Sequence, residues 1–174
     1  TGMLARQNGE PALPTKTAAP FLSGACKPNP RFACPDEEWQ ALADGVRGLP
    51  PREQLARVNS HLNRARYILD PINWGVADYW ASLREFLRKD GDCEDYAIAK
   101  YMTLKTLGFA PAAMRVVVVH DTNLNAAHAV LMVELDGVRY ILDNQVDAVL
   151  PDRLVHHYRP IYSINETGWW LHTG

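Results

Sequence analysis

The sequence predicts an α+β fold in which the N-terminus of a cysteine-bearing helix packs on an antiparallel sheet. Three features predict it. Residues 91–101 read Gly-Asp-Cys-Glu-Asp-Tyr-Ala-Ile-Ala-Lys-Tyr, a turn that passes into a helix. Asp92 suits the N-cap, Asp95 the third helical position, and Cys93, Ala97, Tyr101 and Leu104 recur at helical spacing. Residues 114–119 are an apolar, β-branched run of the kind that makes a buried strand, and 128–135 and 138–143 flank Asp136-Gly137, a pair that favours a two-residue type I′ hairpin turn.

The remaining elements follow in chain order. Residues 1–35 carry many prolines and little periodicity, which predicts an extended, partly disordered arm ahead of one domain over 36–174. A helix is expected from 36 to 43, interrupted by Gly45 and Gly48 before Pro50-Pro51. A second is expected over 52–68, with Leu55, Val58, Leu62, Ala65 and Leu69 on one face. Residues 70–80 are aromatic and irregular, and 82–88 suit a short helix leading into the cysteine turn. Gly108 and Pro111 stop the cysteine helix, and short strands are expected after the hairpin. Trp74, Trp169 and Trp170 suit core positions, while Trp80 could line a groove beside Cys93.

At 174 residues the chain suits one domain with a sizeable core. A net charge of −2 gives no electrostatic case for nucleic acid or an acidic membrane surface, and no apolar stretch is long enough to span a bilayer. No N-terminal hydrophobic region of a signal peptide is present, so an export signal is expected to have been removed or never included. Of the three cysteines, Cys26 and Cys34 are close neighbours in a proline-rich segment. A disulfide between them would suit an oxidising compartment and leave Cys93 free, although two close cysteines can equally stay reduced.

Chemistry concentrates around Cys93. Free N–H groups and the dipole at a helix N-terminus favour thiolate over thiol. If the Asp136-Gly137 turn is tight, Leu135 faces Val138, Asp143 lies opposite Val130, and His128 lies opposite Gln145. His128 and Asp143 then share a sheet face as diagonal neighbours, roughly 7–8 Å apart at the backbone. An imidazole and a carboxylate close such a gap with a hydrogen bond. Together with Cys93 they make an acyl-transfer set: a thiolate nucleophile, a base, and an acid that fixes the base's tautomer. The competing interpretation is a capped helix packed on a sheet with an incidental histidine. No serine elbow, HExxH, CxxC or phosphate-binding glycine loop offers an alternative chemistry.

These residues resemble a known family. Residues 91–101, Ala127-His128-Ala129-Val130-Leu131 and Leu142-Asp143-Asn144 are similar to the bacterial transglutaminase-like cysteine proteinases. Asn73-Trp74-Gly75-Val76, Asp78-Tyr79-Trp80-Ala81 and Tyr162-Ser163-Ile164-Asn165 match as well, so the resemblance runs over about 36–172. It implies a papain-like, transglutaminase-type α+β fold and a cysteine protease with Cys93, His128 and Asp143 as catalytic residues. LapG-type members are periplasmic proteases that cut large surface adhesins and so release biofilm cells, under an inner-membrane receptor responsive to cyclic di-GMP. The segment 81–86 lacks the proline expected there, and Met102-Thr103 and Ala129 also depart from the pattern, which bears on substrate choice. A transglutaminase or amidase with the same triad, and a non-catalytic calcium-regulated binding module, are the alternatives. An intact triad argues against the second.

The resemblance further implies that Asp92 and Glu94 bind Ca²⁺. Asp92, Glu94 and Asp95 crowd negative charge around a residue that must itself become an anion. A hard cation would neutralise them and pin the turn. On the residues alone, capping by Asp92 and Asp95 with a solvated Glu94 remains open. For the oxyanion, the Cys93 N–H is the expected donor, with a second from residues 73–80.

Overall fold

Proline at the first helical position and carboxylates in the first turn start the helical layer. A computed structural model describes residues 34–173. Helix α1, Pro35–Val46, opens with Pro35 and with Asp36, Glu37 and Glu38, side chains that suit a helix N-terminus. Gly45 does not interrupt it as the sequence predicts. A glycine in the last turn costs only about 1 kcal/mol, and Ala43 and Val46 are buried by continuing. Gly48, at φ +88°, makes the stop.

Helix α2, Pro51–Leu62, ends six residues before the periodic pattern does. Asn63 stands at its C-cap and sends its amide to the Asp143 carbonyl at 2.9 Å. The chain beyond is drawn out so that Tyr67 bridges Gly91 and the Ile68 N–H reaches the Gly91 carbonyl at 2.9 Å. Leu55, Val58 and Leu62 enter the core and Ala65 packs against it, but Leu69 falls off the face and is exposed. The irregular stretch contains one short helix, α3, Asp70–Asn73. Helix α4, Leu83–Lys89, is begun by Ser82, whose hydroxyl accepts the Glu85 N–H while the Glu85 carboxylate accepts the Ser82 N–H.

Helix α5, Cys93–Thr106, is the central element. Nine of its residues are buried, spread around most of its circumference. Such a helix has lost its polar face to the interior. It packs on α2 and α4 on one side and on the sheet on the other, and Thr103 accepts the indole N–H of Trp39 from α1 at 2.8 Å.

The sheet contains β1 (Met114–Asp121), β2 (Ala126–Leu135), β3 (Val138–Leu142), β4 (Leu150–Pro151), β5 (Tyr158–Asn165) and β6 (Gly168–Leu171), ordered β4-β3-β2-β1-β5-β6 with every pair antiparallel. Leu135 pairs with Val138 and Leu131 with Leu142, the register expected of a tight turn. Asp136 and Gly137 both take positive φ, as a type I′ turn requires. Met114, Val116, Leu131, Val133 and Leu142 face the helices, while Val117, Val119 and Val130 form a second cluster on the opposite face. Trp169 and Trp170 lie half-buried on the edge strand β6 rather than in the core, and Arg115 stacks over the Trp170 ring at 3.8 Å. Trp74 is likewise half-buried, packed between Tyr79 and Lys89.

No helix of the described residues is long and apolar enough to cross a membrane. The arm expected over 1–35 lies outside the described residues save for Cys34 and Pro35. The Cys26–Cys34 pairing also involves a residue outside them. Cys34 is disulfide-bonded and Cys93 is a free thiol.

Gly91 is the most crowded glycine among the described residues. A Cβ there would stand 2.2 Å from Asp95 Oδ2 and 2.7 Å from Asp95 Cβ. The Asp95 side chain cannot yield freely, since it accepts the Ala81 N–H at 2.6 Å and the Asp92 N–H at 3.3 Å. Gly91→Ala is therefore expected to destabilise the protein by about 1–3 kcal/mol, read as a lower urea midpoint. An unchanged midpoint would show that the turn has slack.

Candidate active site

The cysteine stands where the sequence places it, as the first residue of α5, with Asp92 at the N-cap. The Asp92 side chain does not close that cap. One of its oxygens accepts the Asp70 N–H at 3.3 Å and the other, buried, has no partner. Asp95 supplies the reciprocal half of the capping arrangement through its bond from the Asp92 N–H.

His128 and Asp143 are brought together by the hairpin. Both are buried, and His128 Nε2 lies 2.9 Å from Asp143 Oδ1. The same oxygen accepts the Gln145 N–H at 2.9 Å, and Asp143 Oδ2 accepts the Tyr158 hydroxyl at 2.5 Å. Burial opposes ionisation of Asp143, but the bonds from His128, Gln145 and Tyr158 outweigh it and hold its pKa below the usual carboxylate value. With Nε2 turned to Asp143, Nδ1 is the imidazole nitrogen left for another partner.

Cys93 meets this pair through the next residue along β2, since the Ala129 backbone N–H hydrogen-bonds the Cys93 sulfur and favours its ionisation. Everything else around the sulfur works the other way. Burial first, then the charge and hydrogen bond of Glu94, push the thiol pKa up to about 12. The Cys93 thiol donates to Glu94 Oε2 across 3.3 Å. The Tyr67 hydroxyl also hydrogen-bonds Cys93.

Beside Cys93 lies an acidic cluster larger than the sequence suggested. Asp70, Asp78 and Glu94 each place a carboxylate oxygen within 4.8 Å of the others, and so do Asp70, Asp92 and Asp95. All but Asp78 are buried. Burial, then the hydrogen bond shared with Asp92, lift Glu94 to about 8. Burial lifts Asp95 to about 7 against the Ala81 N–H that favours its ionised form, and burial raises Asp70 as well. Asp70 Oδ1 and Asp92 Oδ1 are both buried and unpartnered. Carboxylates left this way favour a cation or a proton. Glu94 is part of the buried cluster rather than solvated, and Asp70 and Asp78 join it from a segment whose sequence carries no metal-binding spacing.

Tyr67, Asp70, Asp78 and Tyr158 thus escape sequence reasoning. The one available signal was Asp78 within the Asp78-Tyr79-Trp80-Ala81 match. Tyr158 reaches Asp143 from β5, which neighbours β1, an adjacency that hairpin spacing cannot reveal.

Comparison with known proteins is consistent with this geometry. The family described as bacterial transglutaminase-like cysteine proteinase BTLCP matches residues 37–173. A structure of Legionella pneumophila LapG is 36% identical, covers 80% of this chain and 79% of its own, and superposes with a TM-score of 0.72. Its calcium-bound form is 36% identical, with coverage of 79% and 77% and a TM-score of 0.72. An EGTA-treated form is 35% identical, with coverage of 80% and 77% and a TM-score of 0.73. No curated protein matches the sequence. The α+β fold is that of papain-like cysteine proteases, and the chain belongs to the bacterial transglutaminase-like cysteine proteinase family.

Proposed function

We propose that this cysteine protease is a calcium-dependent periplasmic endopeptidase that cuts a large surface adhesin, with Cys93, His128 and Asp143 as its catalytic residues. The observation that carries the residue roles is the buried 2.9 Å bond from His128 to Asp143, placed one residue from the amide that faces the Cys93 sulfur. In the proposed cycle, His128 Nδ1 takes the Cys93 proton and the thiolate attacks the scissile carbonyl. The C–N bond breaks, the imidazolium gives its proton to the leaving amine, and an acyl-thioester remains. Water, deprotonated by His128, then hydrolyses it. Asp143 keeps the Nε2 proton in place through both steps and steadies the imidazolium. The Cys93 N–H at the start of α5 serves as an oxyanion donor.

Calcium fits the residues present. Asp92 and Glu94, joined by Asp70 and Asp78, offer hard oxygen donors, two of the carboxylates with orphaned buried oxygens. Bound there, the ion would supply positive charge beside the nucleophile turn. Glu94, engaged in such a site, no longer competes with His128 for the thiol proton. Calcium-bound and EGTA-treated structures of Legionella LapG support this assignment by likeness.

Adhesin cleavage, with consequent release of attached cells, and control by an inner-membrane receptor responsive to cyclic di-GMP rest on similarity to LapG. The deciding experiment incubates the protein with N-terminal fragments of candidate adhesins, with calcium or with chelator. A discrete cut in calcium alone is expected, and an uncut panel would remove adhesins as the substrate.

Cys93→Ala should abolish cleavage while circular dichroism and thermal midpoint stay at wild-type values. Cleavage by the folded variant would exclude the mechanism. For the metal, calorimetric titration of Asp92→Ala/Glu94→Ala should lose tight calcium binding, and Asp70→Asn should weaken it. The Asp92 side chain makes no cap hydrogen bond, so a sharp fall in activity at retained fold reports loss of the ion rather than of a helix cap. Undiminished binding in the double variant would move the ion elsewhere.

A further inference from the structure

Tyr158 stands outside the catalytic set but grips its acid. As the first residue of β5 it pairs with Asp121, the last residue of β1. The entry to the strand is fixed one position earlier, where the His157 carbonyl accepts the Thr122 N–H at 2.9 Å and the Thr122 hydroxyl at 3.0 Å. From there the side chain lies against two rings, His157 with centroids 4.2 Å apart and His128 with centroids 5.6 Å apart. Its hydroxyl ends 2.5 Å from Asp143 Oδ2.

The two oxygens of Asp143 are held differently. Oδ1 accepts from His128 and from the Gln145 N–H, whereas Oδ2 accepts from the Tyr158 hydroxyl. A carboxylate turns about a broad, soft torsion, and this hydroxyl restrains that turn from the side of β5. Burial and the neighbouring Asp143 carboxylate hold the phenol well above its ordinary pKa, so it stays protonated and always donates. Packing leaves the ring some freedom. Beside it, on the sheet face turned away from the helices, lies a cavity of about 230 Å³ lined also by Val117, Val119, Val130 and Pro160. The bond to Asp143 therefore keeps the ring against His128 where packing alone does not.

We infer that Tyr158 is a positioning residue for the proposed catalytic pair: its hydroxyl locks the Asp143 carboxylate so that Oδ1 meets His128 Nε2, and its ring limits the tilt of the imidazole. The inference rests on the proposed roles of His128 and Asp143. It brings β5 into a site otherwise built from α5 and the β2–β3 hairpin.

Tyr158→Phe tests it, because the hydroxyl is deleted and the ring kept. The kcat for p-nitrophenyl acetate in calcium buffer, above the background of Cys93→Ala, should fall about tenfold to a hundredfold, the scale of a misplaced catalytic group, with KM within about twofold. Assays run well below the thermal midpoint of each variant, so a merely structural bond would lower the midpoint and leave kcat alone. The downfield proton resonance of His128 Nε2–H, assigned by its loss in Asp143→Ala, should broaden or vanish in Tyr158→Phe. The decisive comparison is the double variant. In the Asp143→Ala background, Tyr158→Phe should change the residual rate by less than about twofold, since a group acting through Asp143 has nothing left to act on. One measurement needs no variant to fold: the wild-type protein should show a nuclear Overhauser contact between the Tyr158 and His128 rings. Its absence, a wild-type kcat in Tyr158→Phe, a rise in KM alone, or an equal fall in both backgrounds would each overturn the inference. If Asp143→Ala itself keeps wild-type turnover, the catalytic assignment fails instead.

Discussion

The Asp95 carboxylate organises the start of the central helix. It is fully buried yet accepts two backbone N–H groups, from Ala81 and Asp92. A buried anion requires such donors, and here they come from two different stretches of chain. The bond to Asp92 closes the cap of α5; the bond to Ala81 fastens the 79–81 segment against it. Gly91 must lack a side chain for the carboxylate to sit there. Cys93, the Asp70–Asp92 contact and the acidic cluster all hang from this point.

The opposite half of the site depends on register. Because strand side chains alternate, a slip of one residue across Asp136-Gly137 would send Asp143 to the helix-facing side, away from His128. The tight turn with positive φ at both central residues prevents it. Helix and hairpin are separate units, each fixed by local geometry, and they meet where Ala129 turns its N–H to the Cys93 sulfur. A helix N-terminus and a strand pair are rigid supports, which suits a site whose groups must be held within a fraction of an ångström.

What the sequence revealed follows the range of the interactions involved. The cysteine helix, the hairpin register and the His128–Asp143 pairing were legible because spacing of three to fifteen residues determines them. The end of α2 was misjudged because periodicity does not register that Asn63 is needed by the Asp143 carbonyl eighty positions later. Gly45 looked like a breaker because composition does not show how much Ala43 and Val46 bury. Asp70 and Tyr158 were missed because they reach the site only through packing. Lys100, inside the most recognisable motif, is wholly buried because α5 is enclosed, which helical spacing does not show.

The helix N-terminus alone does not make Cys93 a nucleophile. Its amides and dipole favour the thiolate by an amount that burial and two adjacent carboxylates exceed, and the thiol ends near pKa 12 with its proton on the side of Glu94. Glu94 and Asp95 are themselves held above their ordinary values, by burial and by the neighbouring Asp92. Both strains have one remedy, a positive charge among Asp70, Asp92 and Glu94. It would lower the thiol and carboxylate pKa values together and free the sulfur to face His128. An acidic surround that looks hostile to a thiolate is therefore a physical basis for the proposed dependence of Cys93 on a cation.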